Sequence, residues 1–289
     1  MQQRRLGSQP SSPSVSAIGL GAMPMSIEGR PDRERSIATI HAALEAGITL
    51  IDTADAYHRD ANDVGHNEEL VAEALKGHPR SGDVIVATKG GHLRPGDGSW
   101  TQNGDPAHLK RAAKESARRL GVEAVGLYQF HRPDPAVPYA ESVGALAELL
   151  DEGVIVLAGI SNATVAQIAE ADAVLGGRLA SVQNQFSPAF RSSLEELQHC
   201  AENGIAFLPW SPLGGISKAA DLGSNHQAFQ AVADARGVSP QQVTLAWELA
   251  LADVVVPIPG SSRPQSITDS AAAAELELTP AEIEELSRA

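Results

Sequence analysis

Eight short apolar runs divide the chain into repeating units. They lie near residues 18, 50, 86, 127, 157, 183, 207 and 256. Most of the segments between them space their apolar residues three and four positions apart, which is typical of helices that pack on one face. The segment 32–46 is an example, because Ile37, Ile40 and Leu44 share one face and Gly47 ends the pattern. This alternation predicts parallel strands joined by right-handed helical crossovers.

Eight such units in one chain predict an α/β fold, a (β/α)8 TIM barrel that occupies residues 1–289 as a single domain. The opening residues predict a short N-terminal β-hairpin, followed by a first strand over 15–21. An open doubly wound sheet would instead need a G-x-G-x-x-G turn after its first strand. The corresponding stretch reads GLGAMP, which has no third glycine and leads into no helix. The barrel is therefore the favoured architecture.

Capping residues set the expected bounds of several helices. Pro106 opens one helix that Gly121 closes, and Thr164 caps another. Helices are also expected over 139–151 and 280–288. The helix of the second unit is expected over 64–76, with Asn67 as its cap. The last strand is expected over 253–260.

Charge and cysteine content narrow the classes of partner and compartment. The 289 residues carry a net charge of −14, which disfavours binding to nucleic acid or to an anionic membrane surface. No run approaches the roughly 18 apolar residues that a membrane-spanning helix needs. The only cysteine is Cys200, so no disulfide can form within the chain, and a cytoplasmic location is expected. No spacing of Cys and His predicts a metal site, which leaves a small molecule as the expected partner.

The residues at the predicted strand ends form two chemical groups. Active sites of such barrels lie at the C-terminal ends of the strands. The first half of the chain places titratable side chains there: Asp52, Tyr57, Lys89 and His131. The second half places amides, hydroxyls, an indole and one cation there: Ser161, Asn162, Gln183, Trp210, Ser211, Gly260, Ser261, Ser262 and Arg263. Each alone has an ordinary structural explanation, but their combination at one mouth predicts chemistry on one side and a cofactor on the other.

Several motifs in one order resemble the aldo-keto reductases. The stretch 47–75, GITLIDTADAYHRDANDVGHNEELVAEAL, resembles the first signature of that family. It is followed by TKGG at 88–91, LYQFHRPD at 127–134, GISN at 159–162, VQNQF at 182–186, PWSPLGG at 209–215 and IPGSS at 258–262. The resemblance covers nearly the whole chain. It implies a (β/α)8 barrel that reduces carbonyl groups with NADPH.

The same resemblance implies a catalytic set of four side chains. Tyr57 would donate a proton to the carbonyl oxygen of an aldehyde or ketone. Lys89 would lower the pKa of that phenol, and Asp52 would pair with Lys89. His131 would orient or polarise the carbonyl. A monomer with a small carbonyl substrate is implied, and pyridoxal is one candidate substrate.

The implied cofactor site extends over most of the barrel mouth. The nicotinamide end would meet Gly21, Ala22, Met23, Asp52, Ser161, Asn162, Gln183 and Trp210. The pyrophosphate would lie along Ser211, Leu213 and Gly214, and the adenosine end would meet Gly260, Ser261, Ser262, Arg263, Ser266 and Asp269. NADPH is expected rather than NADH, because a guanidinium such as that of Arg263 suits a 2′-phosphate.

Elementary electrostatics supports the pairing of a phenol with an ammonium group. A tyrosine is protonated at neutral pH, because its reference pKa is about 10. An ammonium at about 4 Å stabilises a phenolate by roughly 4 kcal/mol at an effective dielectric near 20, before desolvation offsets it. Lys89 is therefore expected to move the pKa of Tyr57 towards the working pH.

Two other functions use the same residues differently. A barrel of this kind could bind the nucleotide as a regulatory subunit without significant turnover. Lys89 could instead form a Schiff base, as in an aldolase-type barrel. The Schiff-base alternative gives no role to Trp210 or to the segment 260–263 at the end of the eighth predicted strand.

Overall fold

A parallel sheet of seven strands forms the centre of the molecule in the computed structural model, which describes residues 1–215 and 218–289. The strands of this sheet are β3 (Leu20–Gly21), β4 (Leu50–Asp52), β5 (Ile85–Gly90), β8 (Val125–Phe130), β9 (Ile155–Ser161), β10 (Leu179–Gln183) and β11 (Ala206–Phe207). Their order is β11-β10-β9-β8-β5-β4-β3, and every neighbouring pair is parallel. Consecutive strands of the barrel are therefore adjacent in space, as the alternating pattern predicts.

Two antiparallel hairpins accompany the sheet. The first pairs β1 (Gln3–Arg5) with β2 (Ser14–Ser16), which confirms the predicted N-terminal hairpin. The second pairs β6 (His92–Leu93) with β7 (Thr101–Gln102) in the loop after β5. That loop follows the C-terminal end of a barrel strand, so the second hairpin stands at the mouth of the barrel.

Helices cover the outside of the sheet. They are α1 (Arg33–Glu45), α2 (His66–Leu75), α3 (Pro106–Leu120), α4 (Tyr139–Asp151), α5 (Val165–Val174), α6 (Leu194–Asn203), α7 (Leu222–Asn225), α8 (Gln227–Arg236), α9 (Pro240–Leu251), α10 (Pro264–Ala272) and α11 (Pro280–Arg288). Thr164 accepts a hydrogen bond from the backbone of Gln167 in a capping box, as expected for the start of α5. Among the described residues, none of the helices has both the length and the apolar character to cross a membrane.

The segment 253–260 closes the barrel without forming a regular strand. Single bridges join Val255 to Phe207 on one side and Gly260 to Gly21 on the other. The carbonyl oxygens of Pro257 and Pro259 accept hydrogen bonds from the backbone N–H groups of Gly19 and Gly21. Neither proline has an N–H to donate in return, so a continuous ladder cannot form. The eighth strand predicted from the sequence is therefore reduced to isolated bridges.

Two other local predictions were wrong. The predicted strand over 15–21 is split, because Ser14–Ser16 belongs to the hairpin and only Leu20–Gly21 joins the barrel. Asn67 does not cap α2, since Gly65 precedes that helix with a φ of 82°. Asn67 is buried instead, and it bonds to Thr53 Oγ1 at 2.6 Å, the Ala22 carbonyl at 2.9 Å and Ser26 Oγ at 2.7 Å. It thereby ties the loop after β3 to the loop after β4.

The interior of the barrel changes from apolar to polar along the strands. Leu50, Ala87 and Leu127 belong to one buried cluster, which also includes Leu6 and Val15 of the N-terminal hairpin. Side chains two positions apart on a strand share a face. The next inward residues on these strands are therefore Asp52, Lys89 and Gln129, and all three are buried. The apolar floor thus gives way to a polar layer at the mouth.

Candidate active site

The centre of the candidate site is the ammonium group of Lys89. Its Nζ donates hydrogen bonds to Asp52 Oδ1 at 2.6 Å, to the Thr53 carbonyl at 2.8 Å and to Tyr57 Oη at 3.0 Å. The side chain of Lys89 is 0% exposed. β4 and β5 are neighbours in the sheet, so their ends hold the carboxylate and the ammonium side by side.

Tight turns after β4 bring Tyr57 back over Lys89. The backbone N–H of Tyr57 donates to the Ala54 carbonyl at 3.2 Å, and that of His58 donates to the Ala56 carbonyl at 3.0 Å. The backbone N–H of Asp55 donates to the carbonyl of Lys89 at 3.3 Å, which fixes the turn to β5. The phenol is consequently 7% exposed and lies at the wall of the central cavity.

Asp52 is the negative partner of this cluster. Its Oδ2 accepts hydrogen bonds from Gln183 Nε2 at 2.8 Å and from Gln129 Nε2 at 3.5 Å, while Oδ1 faces Lys89. Burial raises the pKa of Asp52 above its usual value, and Lys89 opposes that shift. Burial alone would lower the pKa of Lys89, but the charge of Asp52 and the phenol of Tyr57 outweigh it and raise that pKa. Lys89 therefore stays an ammonium group.

The pKa of Tyr57 moves in the direction opposite to the expectation. Burial raises the pKa above 10, and the nearby Asp52 adds to that effect, whereas Lys89 lowers the pKa by a smaller amount. The phenol therefore keeps its proton across the whole neutral range. Lys89 acts as expected in sign, but desolvation of the phenolate outweighs it in the ligand-free protein.

His131 stands beside Tyr57 as a neutral imidazole. The two rings meet edge to face, with their centroids 5.8 Å apart. Burial, and then the charge of Lys89, hold the pKa of His131 well below its usual value. Nδ1 of His131 is buried and has no hydrogen-bond partner among the described residues. A neutral imidazole has one N–H and one free electron pair, so a ring that lines the cavity can donate to, or accept from, a bound polar group.

These four side chains border a cavity of about 490 Å³. Lys89 lies just behind the wall, while the other three line it. On the opposite side, Trp210 Nε1 donates to Asn162 Oδ1 at 3.2 Å, and Asn162 Nδ2 donates to Ser161 Oγ at 2.9 Å. Asn162 has a φ of 57° and Ser211 a φ of 52°, an uncommon conformation that is concentrated at functional sites.

A second cavity of about 530 Å³ continues from the first. The two share Pro24, Leu213, Ala219 and Gly260. The second cavity is lined by Ser261, Ser262, Arg263, Ser266 and Asp269, among others. Arg263 is exposed, and its guanidinium has no partner in the described part of the chain. Asp269 accepts hydrogen bonds from Ser239 Oγ at 2.7 Å and Gln242 Nε2 at 2.6 Å, so its oxygens are already engaged.

Known proteins place this arrangement in a family. The family model described as "Aldo/keto reductase family" matches residues 17–289. The chain belongs to the aldo/keto reductase family. It is therefore an oxidoreductase, and the resemblance drawn from the motifs is confirmed.

Two named relatives and one solved structure are similar to the chain over most of its length. The chain is 35% identical to the 6-dehydroglucose reductase of Novosphingobium aromaticivorans over 90% of its own length and 86% of that protein. It is 31% identical to the pyridoxine 4-dehydrogenase of Escherichia coli over 92% of each chain. A crystal structure of an aldo/keto reductase from Klebsiella pneumoniae in complex with NADP and acetate superposes with a TM-score of 0.80. The identity is 27%, and the match covers 99% of this chain and 95% of the other. The (β/α)8 fold predicted from the sequence is confirmed.

Most residues that the sequence assigns to this reductase site line one of the two cavities. Gly21, Met23, Ser161, Asn162, Gln183, Trp210, Ser211 and Leu213 line the first, and the residues from Gly260 to Arg263 line the second with Ser266 and Asp269. Besides Lys89, which lies behind the wall, two assigned residues line neither cavity. Ala22 is fully buried, with its backbone N–H bonded to the Asp52 carbonyl at 2.8 Å. Gly214 lies in the turn after Trp210 and bonds to the Ser211 carbonyl at 2.9 Å.

The residues assigned from the sequence do not include one wall of the first cavity. That wall consists of His92, Trp100, Gln102 and Arg132. The first three come from the β6–β7 hairpin, and Arg132 directly follows His131. A loop after a barrel strand that contains a tryptophan is a signal for this wall, because such loops carry the site in TIM barrels.

Proposed function

We propose that this reductase converts an aldehyde or ketone to the alcohol with NADPH, and that Tyr57 is the proton donor. One observation carries the proposal: Tyr57 Oη lies 3.0 Å from Lys89 Nζ at the wall of a cavity whose other wall holds Trp210 and Ser161. The proposal treats residues 1–289 as one functional unit.

Reduction of a carbonyl group needs a hydride at the carbon and a proton at the oxygen. When bound, NADPH supplies a hydride to the carbonyl carbon. Tyr57 delivers a proton from Oη to the carbonyl oxygen, so that the oxygen never carries a full negative charge. The ammonium of Lys89 stabilises the phenolate that remains, and Asp52 keeps Lys89 charged. His131, which lines the cavity beside Tyr57, orients the carbonyl oxygen towards the phenol.

The joined cavities fit a dinucleotide with one flat end and one anionic end. Gly21 lines the first cavity, and a Cβ there would come within 2.8 Å of the Ile258 carbonyl, so only glycine fits. Trp210 and the amides of Asn162 and Gln183 would hold the nicotinamide end. Gln183 Nε2 is committed to Asp52, which leaves its Oε1 to accept from a carboxamide. The Klebsiella pneumoniae structure in complex with NADP supports this choice of cofactor.

Arg263 carries the proposed preference for NADPH over NADH. It is exposed at the second cavity, next to the hydroxyls of Ser262 and Ser266. A charge-assisted hydrogen bond to a phosphate contributes about 1.5–3 kcal/mol, or roughly tenfold or more in affinity. We expect Arg263→Ala to weaken NADPH by about tenfold and NADH by much less. The dissociation constants for NADPH and for NADH are measured by titration, with tryptophan fluorescence as the signal.

The indole that reports this titration has to be identified. Trp100 and Trp210 both line the first cavity, whereas Trp247 is buried in the outer layer between Phe186 and Phe229. A Trp210→Phe variant separates the fluorescence contribution of Trp210 from that of Trp100. Equal loss of NADPH and NADH affinity in Arg263→Ala would show that Arg263 does not recognise the 2′-phosphate.

The proton-donor role is tested by Tyr57→Phe. General acid catalysis contributes roughly 10²–10⁴-fold, so kcat is expected to fall by that factor while the affinity for NADPH changes little. Tyr139→Phe is a matched control, because the Tyr139 hydroxyl is buried, has no partner among the described residues and lies outside both cavities. A kcat for Tyr57→Phe close to that of the wild type would remove Tyr57 from the mechanism.

The structure weighs against the Schiff-base alternative. A Schiff-base lysine attacks through a neutral amine. Nζ of Lys89 instead donates to three oxygens, and its pKa is raised, so no free electron pair faces the cavity. The regulatory-subunit alternative predicts NADPH binding without turnover of any aldehyde. Reduction of an aldehyde by the purified protein with NADPH would contradict it.

The proposal includes a monomer that acts on a small carbonyl compound in the cytoplasm. Light scattering on the purified protein measures the oligomeric state. Burial raises the pKa of Cys200 to about 12, and the residue is buried in α6, so it is not a reactive thiol. The relatives named for pyridoxine and for 6-dehydroglucose support substrates with a polar ring.

A further inference from the structure

Arg132 lines the substrate cavity, and its guanidinium has no hydrogen-bond or ion-pair partner among the described residues. Arg132 follows His131 at the end of β8, is half-buried, and lines the 490 Å³ cavity. It makes no hydrogen bond or ion pair with any of residues 1–215 or 218–289. The nearest acidic residue along the chain is Asp134, whose oxygens accept from the backbone N–H groups of Gly104 at 2.8 Å and Ala136 at 2.9 Å.

The rest of this wall offers hydrogen-bond donors and no free negative charge. His92 lines the cavity and is 8% exposed. The side-chain amide of Gln102 also makes no hydrogen bond with the described residues. Asp52 is the only carboxylate that lines the cavity in the described chain, and it is paired with Lys89. A protein of net charge −14 thus keeps a locally positive substrate wall.

His92 adds a neutral donor beside the charge. Burial, and then the charge of Arg132, lower the pKa of His92 to about 4. At neutral pH the ring is uncharged and carries one N–H. Geometry places the two residues on the same wall, because both line the first cavity and the His92 ring lies 4.8 Å from the ring of His131, the residue before Arg132.

The wall is held in place before any ligand binds. His92 and Gln102 are paired in the register of the β6–β7 hairpin. The His92 ring stacks on Trp100 with centroids 4.6 Å apart, and the guanidinium of Arg94 lies 4.8 Å from the centroid of Trp100. Arg94 is anchored in turn by Glu28 and by the carbonyl of His58. Such preorganisation lowers the entropic cost of binding.

We propose that Arg132, together with His92 and Gln102, forms a subsite for an anionic group on the substrate. The preferred substrates are then aldehydes or ketones that carry a carboxylate or a phosphate. The His92 ring touches the His131 ring at 4.8 Å between centroids, so this subsite adjoins the side chains that face the carbonyl. The inference rests on the proposed reductase function and deepens it to a substrate class.

The test compares two matched pairs of aldehydes with NADPH as the reductant. One pair is 4-carboxybenzaldehyde and 4-nitrobenzaldehyde, which present a charged and a neutral planar group of similar shape. The other pair is pyridoxal 5′-phosphate and pyridoxal. For each pair, the ratio of kcat/KM for the charged to the neutral aldehyde is measured in the wild type and in Arg132→Gln.

We expect Arg132→Gln to lower this ratio about tenfold in at least one pair, mainly through KM, because a charge-assisted hydrogen bond is lost. The pair that responds identifies the anion as a carboxylate or a phosphate. Arg132→Lys should give an intermediate ratio, since it keeps the charge and loses the planar fork. Arg59→Gln is the control: Arg59 is exposed on the neighbouring loop outside the cavity, and its loss should change the ratio less than twofold.

The outcomes separate this inference from the proposed function. If the aldehydes are reduced but Arg132→Gln and Arg132→Lys leave both ratios unchanged, the anionic subsite is wrong and the reductase function stands. A fall of the same size in Arg59→Gln would also refute the subsite, because it would indicate general charge attraction. If the wild type reduces none of the four aldehydes, the proposed function fails, and the subsite fails with it.

Discussion

Removing the ammonium of Lys89 separates the structural and chemical roles of this site. The variant Lys89→Met keeps most of the aliphatic stem and deletes the charge. It leaves the carboxylate of Asp52, which is 2% exposed, with only the amides of Gln183 and Gln129 as donors. A charge that is buried without its counter-charge is unfavourable, so the variant should be less stable as well as inactive.

The size of the loss follows from the burial of the pair. Removing one partner of a buried ion pair costs about 3–5 kcal/mol. The entropy of unfolding is about 2.1 cal/mol/K per residue, which gives roughly 0.6 kcal/mol/K for a chain of this length. The melting temperature of Lys89→Met should therefore fall by about 5–8 °C at neutral pH.

The loss should also depend on pH in a definite direction. Burial already raises the pKa of Asp52, and without Lys89 the opposing effect disappears, so the pKa rises further. A carboxyl group with a raised pKa binds its proton more tightly in the folded state than in the unfolded state. The destabilisation of Lys89→Met should thus be smallest near pH 4 and should grow as the pH rises towards 8.

Urea denaturation at pH 5 and pH 8 measures this dependence, with turnover recorded in parallel. The double variant Lys89→Met/Asp52→Leu is the matched control, because it removes both charges and should recover most of the stability without recovering turnover. The reasoning is refuted if the single variant is as stable as the wild type at pH 8. It is equally refuted if the double variant is less stable than the single one.

Two further changes test buried polar groups away from the reacting atoms. Glu248 lies in α9 with both carboxyl oxygens unpartnered among the described residues, and burial raises its pKa well above the usual value. Glu248→Leu should therefore stabilise the protein by about 1–3 kcal/mol at pH 8 and by less near pH 4, as urea denaturation at the two pH values will show. Asn67→Ala removes three hydrogen bonds between the loops after β3 and β4, so we expect a several-fold higher Kd for NADPH in fluorescence titration, and an unchanged Kd would limit Asn67 to stability.

The alternation of apolar runs and helical segments was enough to predict the barrel, because the period and length of each apolar pattern distinguish a buried strand from a helix. It gave the bounds of α4 and α11 to the residue. It failed where backbone chemistry decides the structure. The prolines at 257 and 259 remove ladder donors from an apolar run that otherwise resembles a strand. Asn67 looked like a cap because Asn favours that position, but a glycine with a left-handed conformation already stood before the helix.

The candidate site was predictable where residues lie at strand ends in recognisable motifs. Tyr57, Lys89 and the residues around Trp210 were found in this way. Arg132 stands inside a quoted motif, yet nothing in the sequence shows that it lacks a partner. His92 and Gln102 come together only through the register of a short hairpin. Side chains without partners and contacts between loops are properties of the folded chain, and the proposed anionic subsite depends on both.

Burial explains why the pKa of Tyr57 is raised in the ligand-free protein, and it is compatible with the proposed role of Tyr57 as an acid. Desolvation penalises the phenolate, so Oη keeps its proton at neutral pH and, in the proposed mechanism, has it available for a carbonyl oxygen. The same low-dielectric surroundings strengthen the attraction between the developing phenolate and Lys89, 3.0 Å away. A sequence motif fixes which groups meet, but only their shared burial determines how much each charge matters. The functional unit is therefore the buried cluster of Asp52, Lys89 and Tyr57 rather than the phenol alone.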